Sequence, residues 1–178
     1  MKKILATMLV FLAIPAFAQN LRLKNSITFY DTPQASPNAY FYDIDDRRTF
    51  LSDFLGTTIL IHVWNTSCAI CIYELPKISE LERTINNPDF KVLIIHTGDE
   101  TAFDIRQFLK KRNIFIDRNY IDKRARFASV MKSTMLPVSF IIDSEGRELA
   151  REYGAIDWNN AGIKRQIANM IKTQEETR

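Results

Sequence analysis

The chain alternates between short β-branched apolar runs and longer amphipathic stretches. Thr58–Trp64 is a β-branched, largely apolar run of strand length, as expected of a central strand buried on both faces. Phe90–His96 reads as a second such strand. Between them, Ala69 to about Asn87 is helical, with Ile72, Leu75, Ile78 and Leu81 recurring along one face. Glu100–Arg112 is a second helix, Arg118–Ile121 a short strand and Lys123–Met131 a third helix. Val138–Ile142 and Arg147–Tyr153 form a hairpin around Ser144-Glu145-Gly146. Asp157 is expected to cap a last helix carrying Ile163, Ile167, Met170 and Ile171 on one face.

Ahead of this block, Ala39–Ile44 reads as a strand that turns at Asp45–Arg48, and Ser52–Gly56 as a helical turn closed by glycine. Residues 19–38 read as a loose N-terminal arm, with a short strand over Ile27–Tyr30. The order β-α-β-α-β-α-β-β-α predicts an α/β domain over residues 39–178. Its central sheet is mixed, parallel first and antiparallel at one edge, with helices on both faces.

Composition changes the picture at the N-terminus. Lys2 and Lys3 precede an uncharged apolar stretch, Ile4–Phe17, and Ala16-Phe17-Ala18 fits the small-x-small cleavage rule. Residues 1–18 therefore read as a signal peptide, too short to span a bilayer comfortably, with Gln19 as the mature start. Of 24 Lys and Arg, removal of these two leaves 22 against 21 Asp and Glu. A near-neutral domain gives no electrostatic reason to expect nucleic acid. Export places the chain in the periplasm, an oxidising compartment.

The two cysteines form one Cys-x-x-Cys motif, Cys68-Ala69-Ile70-Cys71, between the first buried strand and its helix. Unpaired N–H groups and the helix dipole favour a thiolate there, so Cys68 reads as the attacking nucleophile. Cys71, one helical turn on, resolves the mixed disulfide. A purely structural bridge this short removes little unfolded-state entropy. A zinc site needs a nearby His pair, whereas His62 and His96 lie 34 residues apart. Both read as strand residues with satisfied hydrogen bonds.

The stretch Val63-Trp64-Asn65-Thr66-Ser67-Cys68-Ala69-Ile70-Cys71-Ile72-Tyr73-Glu74-Leu75-Pro76 resembles the thioredoxin-like TlpA/ResA/CcmG group of exported thiol–disulfide oxidoreductases. Leu51–Gly56, Leu136–Asp143 and Tyr153-Gly154 extend the likeness over roughly residues 39–158. The resemblance implies a thioredoxin-like fold with an N-terminal extension, an active-site role for Glu74, and a cis Leu136–Pro137 peptide lying against the disulfide. Leu136, Pro137 and Trp64 would then bind substrate, Trp64 as a wall of the site. Glu74 would accept the Cys71 proton during resolution. Pro76 is expected to kink the helix.

The chain departs from the group's usual pattern at Ser67, where an aromatic residue commonly stands. It also departs at Ala69-Ile70 inside the motif, and at Ser133, Thr134 and Met135, where glycines commonly stand. These changes alter the substrate surface.

The expected activity is reduction of disulfides in exported apoproteins, for cytochrome c maturation or copper-oxidase assembly. It needs a membrane thiol donor, touches the membrane only transiently, and requires no cofactor or metal. A copper metallochaperone using Cys68 and Cys71 is the alternative, with Met131 and Met135 as soft sulfurs nearby. A thiol peroxidase is disfavoured because Thr66 stands before Cys68 without a proline. Lys123, Arg124 and Arg126 belong to a basic stretch, diluted by Asp117 and Asp122, that reads as a solvated face.

Overall fold

The computed structural model describes residues 23–176; the expected signal peptide and its cleavage point lie outside them. Eight strands form one mixed sheet: β1 (Phe29–Ala35), β2 (Tyr40–Asp43), β3 (Arg48–Phe50), β4 (Thr58–Trp64), β5 (Phe90–Thr97), β6 (Asn119–Asp122), β7 (Val138–Ile142) and β8 (Arg147–Tyr153). Four helices accompany it: α1 (Ala69–Ile85), α2 (Ala102–Lys110), α3 (Arg126–Val130) and α4 (Ala161–Glu176). The strand order is β1-β8-β7-β4-β5-β6-β2-β3, parallel from β4 through β6 and antiparallel elsewhere.

Every residue of β4 is buried, because the sheet is covered on both sides. Leu60 and Trp64 of β4 face a layer built by α1, α2 and α4, with Ile78, Ile105 and Ile163 among its buried residues. Ile59, Ile61 and Val63 face the other side, where Phe127 and Met131 at α3 pack with Phe41 and Leu51. The period-two alternation of the strand thus builds both core layers.

The arm expected to be loose is partly sheet. β1 pairs antiparallel with β8, its register slipping between Phe29 and Gln34. Pro33 is tolerated because β1 is an edge strand. The arm is also held by buried carboxylates of β8: Glu152 accepts from Thr28 N–H at 2.7 Å and Lys24 at 2.6 Å, and Glu148 from the Tyr30 hydroxyl at 2.8 Å.

Two local expectations are corrected. Asn160, not Asp157, caps α4: its Oδ1 accepts from Gly162 N–H at 2.7 Å and Ile163 N–H at 3.4 Å. Asp157 lies one turn too early, and its carbonyl instead accepts from Asn160 N–H. The buried face of α1 is Cys71, Glu74, Leu75, Ile78 and Leu81, so a carboxylate lies among the apolar residues of that face, while Ile72 is only half-buried. Pro76 sits within α1 on its exposed side.

Candidate active site

The site forms where β4 ends and α1 begins. Cys68 and Cys71 are joined by a disulfide, with Cα atoms 5.2 Å apart. Cys68 is the N-cap of α1, and its sulfur accepts the Cys71 N–H at 3.2 Å. Cys68 is half-buried and Cys71 fully buried. Only the first sulfur is therefore reachable by a partner, and it is also the one at the helix's positive end. This asymmetry arises from helical geometry: a residue three positions into the first turn points back under the cap.

Glu74 occupies the next position on the same buried face. Its Oε1 accepts from the Ile156 N–H at 2.8 Å and the Trp158 indole N–H at 3.0 Å, both from the segment linking β8 to α4. Its Oε2 has no partner among the described residues. Burial pushes the carboxyl up to about 7, against the pull of those two hydrogen bonds. It lies one helical turn from Cys71 on that face.

Trp64, expected as a wall of the site, has no exposed surface. It lies in the core cluster that contains Cys71, against which Cys68 and Leu136 also pack. Phe108 of α2 packs on it at 5.7 Å between ring centroids, and His96 meets it edge-on at 4.9 Å. Trp64 supports the site from beneath, because the last residue of a strand covered on both faces is itself covered.

The Leu136–Pro137 peptide is cis. Val138 pairs with Val63 across the β7–β4 ladder, so Pro137 falls at the end of β4 that leads into Cys68. Leu136 is half-buried and Pro137 buried. The Pro137 carbonyl accepts the Gly154 N–H at 2.9 Å, and Gly154 sits at φ 80°, where glycine is favoured.

A second layer holds the loop before Cys68. Asn65 accepts from the Ser67 N–H and hydroxyl at 2.7 and 2.6 Å, and its amide donates to the Thr97 carbonyl at 2.5 Å. The Thr66 hydroxyl donates to Glu100, which holds that carboxyl below its ordinary range. The other Glu100 oxygen is 3.5 Å from His96 Nε2. A Cβ on Gly98 would lie 2.5 Å from a Glu100 carboxylate oxygen and 2.8 Å from the Asn65 amide nitrogen, so any side chain there displaces the ends of those two.

The histidines depart from expectation. His62 Nδ1 is 3.0 Å from the Ser139 hydroxyl, but its Nε2 is unpartnered. Neither His96 ring nitrogen makes a hydrogen bond among the described residues. Burial lowers both, His62 to about 3. Sequence reasoning also missed Trp158, Asn65, Glu100 and Gly98. Trp158 stood at the limit of the family likeness with no role attached, and Glu100 read only as a helix start. Among the described residues, no three His, Cys, Asp or Glu side chains converge as a metal site.

The Redoxin family profile matches residues 31–167. The chain is 25% identical over 119 residues to a thiol-disulfide oxidoreductase ResA of Bacillus cereus, covering 67% of this chain and 68% of that protein. It is 27% identical over 112 residues to ResA of Bacillus thuringiensis subsp. konkukian, covering 63% of this chain and 64% of the other. The crystal structure of a thiol:disulfide interchange protein of the thioredoxin family from Chlorobium tepidum TLS superposes with a TM-score of 0.63 at 16% identity. That superposition covers 79% of this chain and 97% of the other. The chain belongs to the Redoxin family, as a thioredoxin-like protein of the TlpA/ResA/CcmG type, and its activity is thiol–disulfide exchange.

Proposed function

We propose that this Redoxin-family chain is exported behind the signal peptide of residues 1–18 and works in the periplasm as a reductase of disulfides in exported apoproteins. The observation that carries the reading is the burial of Glu74 on the face of α1 that also holds Cys71. A carboxylate beside the resolving thiol disfavours the dithiolate and so favours the disulfide, which is the product form of a reductase.

In the reduced protein, the Cys68 thiolate attacks a substrate disulfide. One sulfur–sulfur bond forms and one breaks, and a substrate thiolate leaves. Glu74, ionised at that stage, takes the Cys71 proton. The Cys71 thiolate then attacks the Cys68 sulfur, releasing the second substrate thiolate. Two electrons pass to the substrate, and this protein ends as the disulfide present in the structure. A membrane thiol donor returns the electrons in each cycle, with only transient contact at the membrane.

Leu136 and Pro137 present the substrate edge of the site. The Leu136 main chain makes no hydrogen bond among the described residues, which leaves it to pair with an extended substrate. Apocytochrome c cysteines and copper-oxidase subunits are the proposed substrates.

Two measurements test the reading. Equilibration with glutathione should place the potential nearer roughly −270 mV than roughly −120 mV, the values of a reductant and an oxidant of this fold. A potential above about −150 mV would make the protein an oxidase. The Cys71→Ala variant should trap a substrate on Cys68 in the periplasm, and the identity of the trapped protein decides between the two maturation routes.

A further inference from the structure

β6 runs parallel to β4 and β5, so the residues that follow it emerge at the same end of the sheet as the disulfide. Those residues are Lys123, Arg124 and Arg126, all exposed. β2 pairs antiparallel with β6, Tyr42 opposite Ile121, and this register brings Tyr40 to that end as well. An open groove of about 660 Å³ lies there, lined by Tyr40, Tyr42, Lys123, Arg124, Arg126 and Val130.

Its charge is unbalanced. The Arg48 and Arg126 guanidiniums lie 4.5 and 4.9 Å from the centroid of one ring, Tyr40. Two cations on one ring lie within about a Debye length of each other, so each raises the potential at the other. Lys123 has an acidic partner, Asp46. Arg48, Arg124 and Arg126 have no carboxylate within ion-pair distance among the described residues. Of the basic stretch, Lys123, Arg124 and Arg126 gather at this groove, exposed to solvent, whereas Arg118 pairs with Glu82. The diluting Asp122 is turned inward, where it accepts from the Phe127 and Ala128 N–H groups at 2.7 and 2.9 Å.

We infer that this groove docks an acidic segment of the protein partner whose disulfide is exchanged at Cys68. The inference rests on the reading of the site as a protein-disulfide exchange centre. A second groove, sharing Lys123 and Arg124 with the basic one, reaches Gly98 and Glu100 beside the loop that holds Thr66; Asp43, Asp46, Asp99 and Glu100 line it, so the part of the partner that crosses it between the cysteine and the acidic residues must carry no negative charge. From β4 to β2 is three strand spacings, about 14 Å. An extended chain covers that in four to five residues. The acidic residues should therefore lie about four to six positions from the reacting cysteine. Exposed Val130 lines the basic groove and suits an apolar side chain beside the acidic residues. A concave groove walled by tyrosines fits a peptide better than a flat lipid surface.

Binding is measured by fluorescence anisotropy with the oxidised full chain and two labelled peptides. Each carries serine in place of cysteine, with four Glu or four Gln starting five residues away. The Glu peptide should bind about five- to tenfold more tightly, as expected for two or three partly exposed ion pairs. Arg124→Gln with Arg126→Gln, or 0.5 M salt, should remove the difference and leave the Gln peptide unchanged. Equal binding of the two peptides, or a preference indifferent to the arginines, overturns the inference. So does arginine-dependent binding to phosphatidylglycerol vesicles when the Glu peptide does not bind. If the Glu peptide binds as expected but the reduced protein leaves its disulfide counterpart intact, the groove stands and the reductase reading fails.

Discussion

The indole N–H of Trp158 donates to Glu74 Oε1 at 3.0 Å across 84 positions of sequence. With the Ile156 N–H on the same oxygen, this bond fixes a buried carboxyl from a segment far away in the chain. One oxygen is held by the fold and the other is left without a partner among the described residues. The carboxyl is thereby positioned, yet still able to take up a proton.

Glu74 makes stability depend on pH. Its folded affinity, about 7, lies above its ordinary 4.5. The folded state therefore binds more protons than the unfolded one between these values, and its contribution is complete below about 4.5 and lost as pH rises through about 7. In urea unfolding of the oxidised proteins, raising the pH from 5 to 8 should cost the wild type about 2–3 kcal/mol relative to Glu74→Gln, the opposing histidine contribution being common to both. The same slope in both proteins would remove Glu74 as its source.

His62 acts in the opposite sense. Burial depresses it to about 3, so the unfolded chain takes up a proton first as pH falls below 6.5. The stability it contributes is present above 6.5 and is lost toward pH 3. NMR of the ring nitrogens should find His62 neutral at pH 5. A titration near 6.5 would contradict its burial.

Cys68 should alkylate before Cys71 in the reduced protein, by about tenfold or more with iodoacetamide, because only Cys68 combines access with a helix N-terminus. Peptide mass mapping after partial reaction gives the order. Faster labelling of Cys71 would reverse the two roles.

Trp64→Ala should act on stability first. Truncating a fully buried tryptophan costs about 3–5 kcal/mol. Unchanged stability with slowed exchange would return Trp64 to the substrate surface.

Gly98→Ala should loosen the Cys68 loop. The added methyl forces Glu100 or Asn65 to move, at a cost of about 1–3 kcal/mol. Disulfide exchange should slow with it, as a thiol–disulfide assay would show. Full activity with unchanged stability would mean that the contacts of Asn65 and Thr66 do not position the loop.

Alternation and helical period were sufficient for the strands of the central sheet and for the helix carrying the cysteines, because a strand covered on both faces is largely apolar and one covered on a single face alternates. Thr58–Trp64, Val138–Ile142 and Arg147–Tyr153 are observed with the limits read from the sequence. The edge elements were less legible. β1 contains Pro33 and polar residues, and β3 has three residues, so pairing with β8 and β2 decides them rather than local pattern.

The motif placed Cys68, Cys71 and Glu74 on one helix start, since they are close in sequence. Trp158, Glu100 and Arg48 reach the site or its groove from other elements, and no local signal marks such contacts. Burial of Trp64 likewise depends on the His96 and Phe108 rings packed against it. The sequence by itself determined the thiol chemistry and the order of the core elements, which follow from short-range spacing and periodicity. The tertiary structure alone decided which carboxyl is held near neutrality, which tryptophan is covered and where the arginines gather, because burial and charge proximity depend on residues far apart in the chain.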